Sequence, residues 1–324
     1  MLIAIRTVSR TPRHQAGPHP VPDHRRSWRR AVHGTAQHPP LPGADSETWR
    51  RFGLAPGLFL AGTGLLLQVA HPVVGAGVLE HSDFKNAPWK RLVNTHLSTM
   101  RFIYGMRPGA DAEGSRLREL HKDIKGVDGR GRRYHALNPE AYAWVHFTLA
   151  QFVVDTAELF GDPMTPAETE RMWQEFRAIG RALQLKEHHM PADWASAQVW
   201  FRDVVRNRLE ATESTYDVLE SISDPPRPYR WIPRLLWAPI GRPFGRIVRM
   251  TTIGTMPPEL RERMGLQWSA QQERRLRRFG RLVGGVLRAL PWPLRYTPFA
   301  LPAILRDKRR IAASRPARLA GAGA

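Results

Sequence analysis

From Leu54 to Leu79 the chain carries no formally charged residue. About twenty consecutive apolar residues let a helix cross a bilayer. This run must therefore enter a membrane or be covered by the rest of the chain. Three residues near its middle favour the second outcome. Gln68 and His71, at i and i+3, are expensive in hydrocarbon. Pro72 lacks the N–H that a continuous helix needs at that point and breaks or kinks it. The expectation is a buried, kinked helix with its bend at "QVAHP". The plainest role for His71 there is a hydrogen bond to a backbone carbonyl.

The chain has 324 residues, 42% of them hydrophobic, enough for a sizeable core in one large domain or two modest ones. It has no Cys, so disulfides, zinc–thiolate sites and thiol nucleophiles are excluded. The formal charge is +20, and the excess is uneven: Arg261 to Arg310 holds thirteen Lys/Arg against Glu262, Glu273 and Asp307. A basic amphipathic helix in this region reads as a membrane-surface or nucleic-acid patch, or as a solvated face, and it and "WIPRLLWAPIGRPFGRIVRM" before it could dock on an anionic membrane. The aromatic interleaving that stacks nucleic-acid bases is not evident, so nucleic acid is the weaker partner. Met1 to Arg6 is too short for the apolar core of a signal peptide. The pairs Arg25–Arg26 and Arg29–Arg30 resemble a twin-arginine signal only superficially. A cytoplasmic protein with a peripheral membrane contact is expected.

Residues 1–45, rich in Pro, His and Arg, read as a disordered arm. The folded part is expected over 46–310, followed by a flexible tail over 311–324. "SETW" opens the first helix with Ser46 as cap. Pro88 to Tyr104 predicts a helix with Trp89, Leu92, Val93, His96, Met100 and Ile103 on one face. "DGRGRRYHALNP" reads as a linker. Pro139 to Phe160, capped by Asn138, is the most convincing buried helix. Thr165 caps another, and a last helix covers Ala270 to Leu290. Residues 231–266 read as helical pieces separated by prolines. No alternating strand runs stand out. The fold class is all-α, with eight to eleven helices.

There is no phosphate loop, GxGxxG, HExxH or GxSxG. Imidazoles therefore hold the most interest. His146 shares its helix face with Tyr142, Ala143, Leu149, Ala150 and Val153. A neutral ring in that setting needs a hydrogen-bond partner or a metal. One His, apolar walls and no Cys suit a His-ligated haem pocket; a satisfied core histidine is the alternative. Arg91 and Thr95, at i and i+4 with Asn94 beside them, could polarise dioxygen or orient a propionate. An ordinary solvated polar face is the alternative there. His81, His96, His121, His188 and His189 lack comparable apolar settings and are expected at the surface.

The blocks "QVAHP", "HSDFKNAPWKRLVNT" and "WVHFTL", in this order, resemble a known family. It is the bacterial branch of the haem-b oxygenases that include the mycophenolate-pathway B oxygenase and the latex clearing protein, a rubber oxygenase. The resemblance runs from about Trp49 to Tyr296. It implies an all-α, globin-like multi-helix bundle around haem b, with His146 as the iron ligand and Leu149 and Ala150 beside it. Arg91 and Thr95 match the family's distal Arg and Thr. Asn94 stands where those enzymes can carry a haem-ligating Lys, which implies an open resting site. The family's distal glutamate has no secure counterpart; His71, with Gln68 near it on the distal side, is preferred over Glu80 as the base. The implied activity is oxygen-dependent cleavage of a C=C bond in an apolar, isoprenoid or lipid-like substrate. A haem sensor without turnover, and a basic helical protein without cofactor, are the alternatives.

Overall fold

The computed structural model describes residues 41–320 except 83, 85, 86, 106 and 230. The expected arm lies outside the described residues up to position 40. Residues 41–45, also expected to belong to it, are part of the fold. Ala44 is buried, and its N–H donates to Asp307 Oδ2 at 2.7 Å. At the other end α13 (Leu301–Ala320) occupies most of the segment expected to be a tail.

The described residues form thirteen α-helices and one two-stranded hairpin. The all-α class holds, and two causes account for most of the extra helices. α1 (Glu47–Phe52) and α11 (Pro258–Arg263) are only six residues long, too short for a periodic pattern to register. The uncharged run also divides, into a 3-10 turn at Ala55–Phe59, α2 (Ala61–Val69) and α3 (Pro72–His81). Ser46 caps α1, Asn138 caps α6 (Pro139–Leu159), and Thr165 caps α7 (Pro166–Ala182), as their side chains predict.

The division of the run has a local cause. A residue before proline is pushed out of the helical region, and His71 is extended at φ −73°, ψ 124°. α2 and α3 consequently meet at 99°. The carbonyl of Ala70, freed at the break, accepts the N–H of Glu210 at 2.8 Å. The corner is tight: a Cβ on Gly75 would lie 2.5 Å from the carbonyl oxygen of Val69. Among the described residues no single helix is long and apolar enough to cross a membrane. α2 is instead packed against α6, α9 (Glu213–Ser223) and α10 (Arg234–Thr255).

α6 joins two hydrophobic clusters. Phe147 packs with Trp173 and Phe176 of α7, in a cluster that α1, α4 (Pro88–Tyr104), α5 (Arg107–His121) and α13 also enter. Trp144, three residues earlier, belongs to the cluster of α2, α3, α8 (Trp194–Asn207), α9, α10 and α11. Its indole donates to the Leu67 carbonyl at 2.8 Å and stacks on Phe201, centroids 5.7 Å apart. The stretch expected to be a linker forms a small hairpin, Lys125–Val127 against Arg133–His135, with Gly126 opposite Tyr134. Three-residue strands are too short to show alternation. The Tyr134 hydroxyl donates to Glu80 at 2.5 Å, which ties the hairpin to the end of α3.

Residues 231–266 also differ from expectation. α10 is one continuous helix despite Pro239 and Pro243 inside it. Both prolines lie on its exposed side, where carbonyls deprived of a donor can be hydrated.

α12 (Ala270–Ala289) packs against the end of α6 through glycines. A Cβ on Gly284 would sit 1.9 Å from the carbonyl oxygen of Phe160, whereas one on Gly285 would meet nothing within 4 Å. Gly284→Ala should therefore destabilise the protein by about 1–3 kcal/mol through overpacking. Gly285→Ala should be neutral or stabilise it by up to about 1 kcal/mol through helix propensity. Chemical denaturation of the two variants checks the contrast, and equal effects would contradict the packing described.

Candidate functional site

The uncharged α2 and the polar stripe of α4 face each other across three adjoining pockets, the lobes of the candidate site, all lined by Leu65. The front lobe, about 250 Å³, lies between α2, α4, α9 and α10 and is lined by Arg91, Thr95, Trp89, Phe244 and Val248 among others. A second lobe, about 30 Å³, is walled by Val73, Val74 and Val145 and contains Gln68, Arg91 and His121. A third, about 100 Å³, is bounded by Thr95, His96, Thr148, Leu149 and Thr297. The walls are mostly apolar, with a few convergent polar groups, as small-molecule sites generally are.

α4 supplies the cation. Arg91 and Thr95, one turn apart, both line the cavity. Arg91 lies over the Phe84 ring, 5.3 Å from its centroid. Burial lowers its guanidinium to about 10, so it remains charged at neutral pH. Gln68 stands between the second and third lobes and donates to Thr148 Oγ1 at 3.0 Å. Thr148 in turn donates to the Val145 carbonyl at 2.7 Å, which fixes the direction of the amide. Leu149 lines the third lobe. Of the site residues expected from the sequence, Arg91, Thr95, Gln68 and Leu149 thus line these lobes together.

Several other expected site residues lie elsewhere. His146 is buried but lines none of the three lobes. It sits in the α6–α7 interface, where Nε2–H donates to the Phe176 carbonyl at 2.8 Å. Its ring packs 5.6 Å from that of Phe176, and a Cβ on Gly180 would lie 3.1 Å from its Nε2. Ala150 is buried in the core and does not reach the cavity. Asn94 is exposed on the outer side of α4. His71 is buried at the start of α3, with Arg208 and Glu210 as its charged neighbours, and lines no lobe. Glu80 is exposed and holds the Tyr134 hydroxyl.

Two histidines expected at the surface line the cavity instead. His121 is the last residue of α5 and is 1% exposed. Its Nδ1–H donates to the Leu117 carbonyl one turn back at 2.5 Å, and its Nε2 is buried without a hydrogen-bond partner. Desolvation pushes the ring down to about 4. The imidazole is therefore neutral at pH 7, held in one tautomer, with the Nε2 lone pair free: the disposition of a metal ligand. The hairpin lies beside it: Ala136 N–H donates to the Ile124 carbonyl at 2.9 Å, and Ala136 lines the same lobe. His96 is half-buried in the third lobe beside Phe299, with its Nε2 also unpartnered. Desolvation lowers its pKa as well. The sequence clue for His121 was Leu117 one turn earlier on an otherwise charged helix, too little to mark a buried end.

The donor set suits haem better than a bare metal ion. Among the described residues no group of three or more His, Asp or Glu is placed to hold a metal. A porphyrin brings its own four nitrogens and asks the protein for one axial imidazole, an apolar slot and a cation for its carboxylates. His121 offers the imidazole and Arg91 the cation; the second lobe alone, at about 30 Å³, is far smaller than a porphyrin, so the slot would have to take in the front lobe, which shares Leu65, Val69 and Arg91 with it.

The buried histidines carry a pH dependence. Desolvation pushes His71, His121 and His146 to about 4 from an ordinary value of 6.5. The unfolded chain takes up these protons as pH falls below 6.5, the folded chain only near 4. Folding stability should therefore fall as pH drops through this window, by at most about 3 kcal/mol per histidine. Urea unfolding of the cofactor-free protein between pH 7 and 4.5 checks this, and a flat profile would refute it.

An uncharacterized protein of Mycobacterium bovis and one of Mycobacterium tuberculosis are each 25% identical over 222 residues. The match covers 67% of this chain and 84% of each relative. No solved structure matches it significantly. The family model for the catalytic domain of the ER-bound oxygenase mpaB/B′ and rubber oxygenase matches residues 49–285, a stretch that contains every lobe-lining residue named above except Thr297. The chain belongs to the mpaB/rubber oxygenase catalytic-domain family.

Proposed function

We propose that this protein is a haem-b oxygenase that cleaves a C=C bond in an apolar, isoprenoid or lipid-like substrate. The observation that carries the reading is the unpartnered Nε2 of His121, neutral and buried in an apolar lobe that also holds Arg91 and Gln68. Family membership supplies the oxygenase class. The bare imidazole supplies the reason for haem.

In this reading His121, oriented through the Leu117 carbonyl, would hold the haem iron through its free Nε2. The haem, when bound, supplies the redox chemistry by which both atoms of dioxygen end in two carbonyl products. The chain's own residues do the rest. Arg91 offers a fixed positive charge to a propionate or to developing negative charge on oxygen. Thr95 offers a hydroxyl one turn further along the same face. The walls of the front lobe hold an apolar chain and exclude water. His96 takes the role of base, since it lines the third lobe with its Nε2 unpartnered, and its lowered pKa keeps it unprotonated at neutral pH. The protein would work in the cytoplasm against a membrane, where such substrates reside.

Absorbance spectra separate the two histidines. His121→Ala should lose the Soret band on haem-loaded expression, while His146→Ala should keep it and show only lower thermal stability. Full haem retention by His121→Ala, or loss only in His146→Ala, would move the ligand to another residue. His96→Gln should retain haem and lower oxygen uptake with an isoprenoid substrate by about a hundredfold. Unchanged turnover would remove His96 from the chemistry.

A further inference from the structure

The front lobe opens beside an unusual surface. Between Asp224 and Glu259 the chain has six arginines and no acid or lysine. The first half of α10 and the loop before it are also strongly apolar on the outside. Leu235 is 88% exposed, Trp231 77%, Leu236 63%, Ile240 62% and Tyr229 61%. Single exposed aliphatics are ordinary, but a contiguous set marks an interaction surface.

The arrangement on the helix is ordered. Gly241, Gly245 and Val248 are buried and face the rest of the protein. On the opposite side Leu236, Pro239, Ile240 and Pro243 fall within a sector of about 100° of the helix turn. Arg242 and Arg246 are exposed along one edge of that stripe, and Arg234 precedes it. None of these three arginines forms an ion pair among the described residues. Trp231 and Tyr229 stack, with centroids 5.8 Å apart, at the tip of the preceding loop. An aliphatic stripe, aromatic residues at its end and uncompensated arginines at its edge are what a helix needs to lie in the headgroup layer of an anionic bilayer.

The stripe is joined to the cavity. Phe244, one residue beyond Pro243, is partly exposed and lines the front lobe. Leu92 on α4 and Leu58 before α2 are likewise exposed and line it. The rim is held by two indoles: Trp89 donates to the Pro226 carbonyl at 2.6 Å and Trp237 to that of Pro225 at 3.0 Å. The mouth is therefore framed by the same loop and helix that carry the stripe.

We infer that the exposed face of α10, with Trp231 and Tyr229, docks on an anionic lipid bilayer and sets the mouth of the front lobe against the lipid. Delivery of substrate through that mouth rests on the oxygenase reading; the docking itself does not. α12 is the competing surface. It is more basic, with Arg274, Arg275, Arg277, Arg278 and Arg281, and exposes Leu282 and Val286. It lines no lobe of the cavity.

Vesicle flotation of the full chain decides between them. Vesicles of phosphatidylcholine alone are compared with vesicles that also contain phosphatidylglycerol. The parent protein should float with the anionic vesicles and only weakly with the neutral ones. Leu236→Glu with Ile240→Glu should lower vesicle affinity by about tenfold or more, because the inserted aliphatic area is lost. Arg242→Gln with Arg246→Gln should remove the preference for phosphatidylglycerol. Leu282→Glu with Val286→Glu on α12 should leave flotation nearly unchanged. Loss of binding in the α12 variant with retention in the α10 variants would overturn the inference, as would equal flotation with neutral and anionic vesicles. Binding to double-stranded DNA in preference to vesicles would overturn it as well. All substituted side chains are exposed, so thermal midpoints should match the parent. Haem content is read separately by absorbance, so failure of the haem reading leaves the flotation result interpretable.

Discussion

The architecture depends on how an uncharged run of helix is accommodated around one proline. Pro72 stops α2 at Val69 and turns the chain by 99° into α3. α2 is then covered by α6, α9 and α10, and Leu65 and Gln68 face the cavity. A straight helix of the same composition would have offered a long apolar surface with no corner. The bend gives α2 and α3 two different walls, and the second lobe lies where both can line it. Gly75 permits the corner, and the backbone of Glu210 satisfies the carbonyl that the break exposes.

The polar groups of the cavity are few, and most are oriented by something else. Thr148 directs Gln68, Leu117 directs His121, and the hairpin closes behind His121. This is how a buried imidazole is kept neutral with one lone pair free. His146 shows the contrast. It is as deeply buried and as strongly desolvated, and its Nδ1 also lacks a partner. But its ring lies between α6 and α7, with Nε2–H bonded to the Phe176 carbonyl, and it lines none of the three lobes. What separates the two histidines is the adjoining cavity, which His121 lines and His146 does not.

The same distinction explains which site residues were legible. Arg91 and Thr95 were readable because spacing within one helix determines which side chains share a face. Gln68 was readable because a polar residue in an uncharged run must have a reason to be there. His146 is buried, as its helix face predicts, but helical periodicity does not say against what, and the ring meets α7 and lines none of the three lobes. His121 was missed because it ends a charged helix, and only the hairpin and α3 turn that end inward. His71 was drawn in by its apolar neighbours in sequence, yet the proline beside it moves it to the far side of the corner. Leu235, Leu236 and Ile240 are exposed because α10 uses its glycine-rich side to approach the body of the protein, which the apolar composition of the stretch does not reveal.

The sequence alone determined the helical class, the caps at Ser46, Asn138 and Thr165, the break at Pro72 and the polar pair on α4. Each is a property of a few neighbouring residues and of backbone sterics. Tertiary structure alone decided which histidine meets the cavity, what covers α2 and which apolar stripe stays outside. Those outcomes depend on contacts between residues distant in sequence, such as Gln68 with Thr148 and Trp144 with Leu67. Local periodicity carries no record of the partner that a buried face will find.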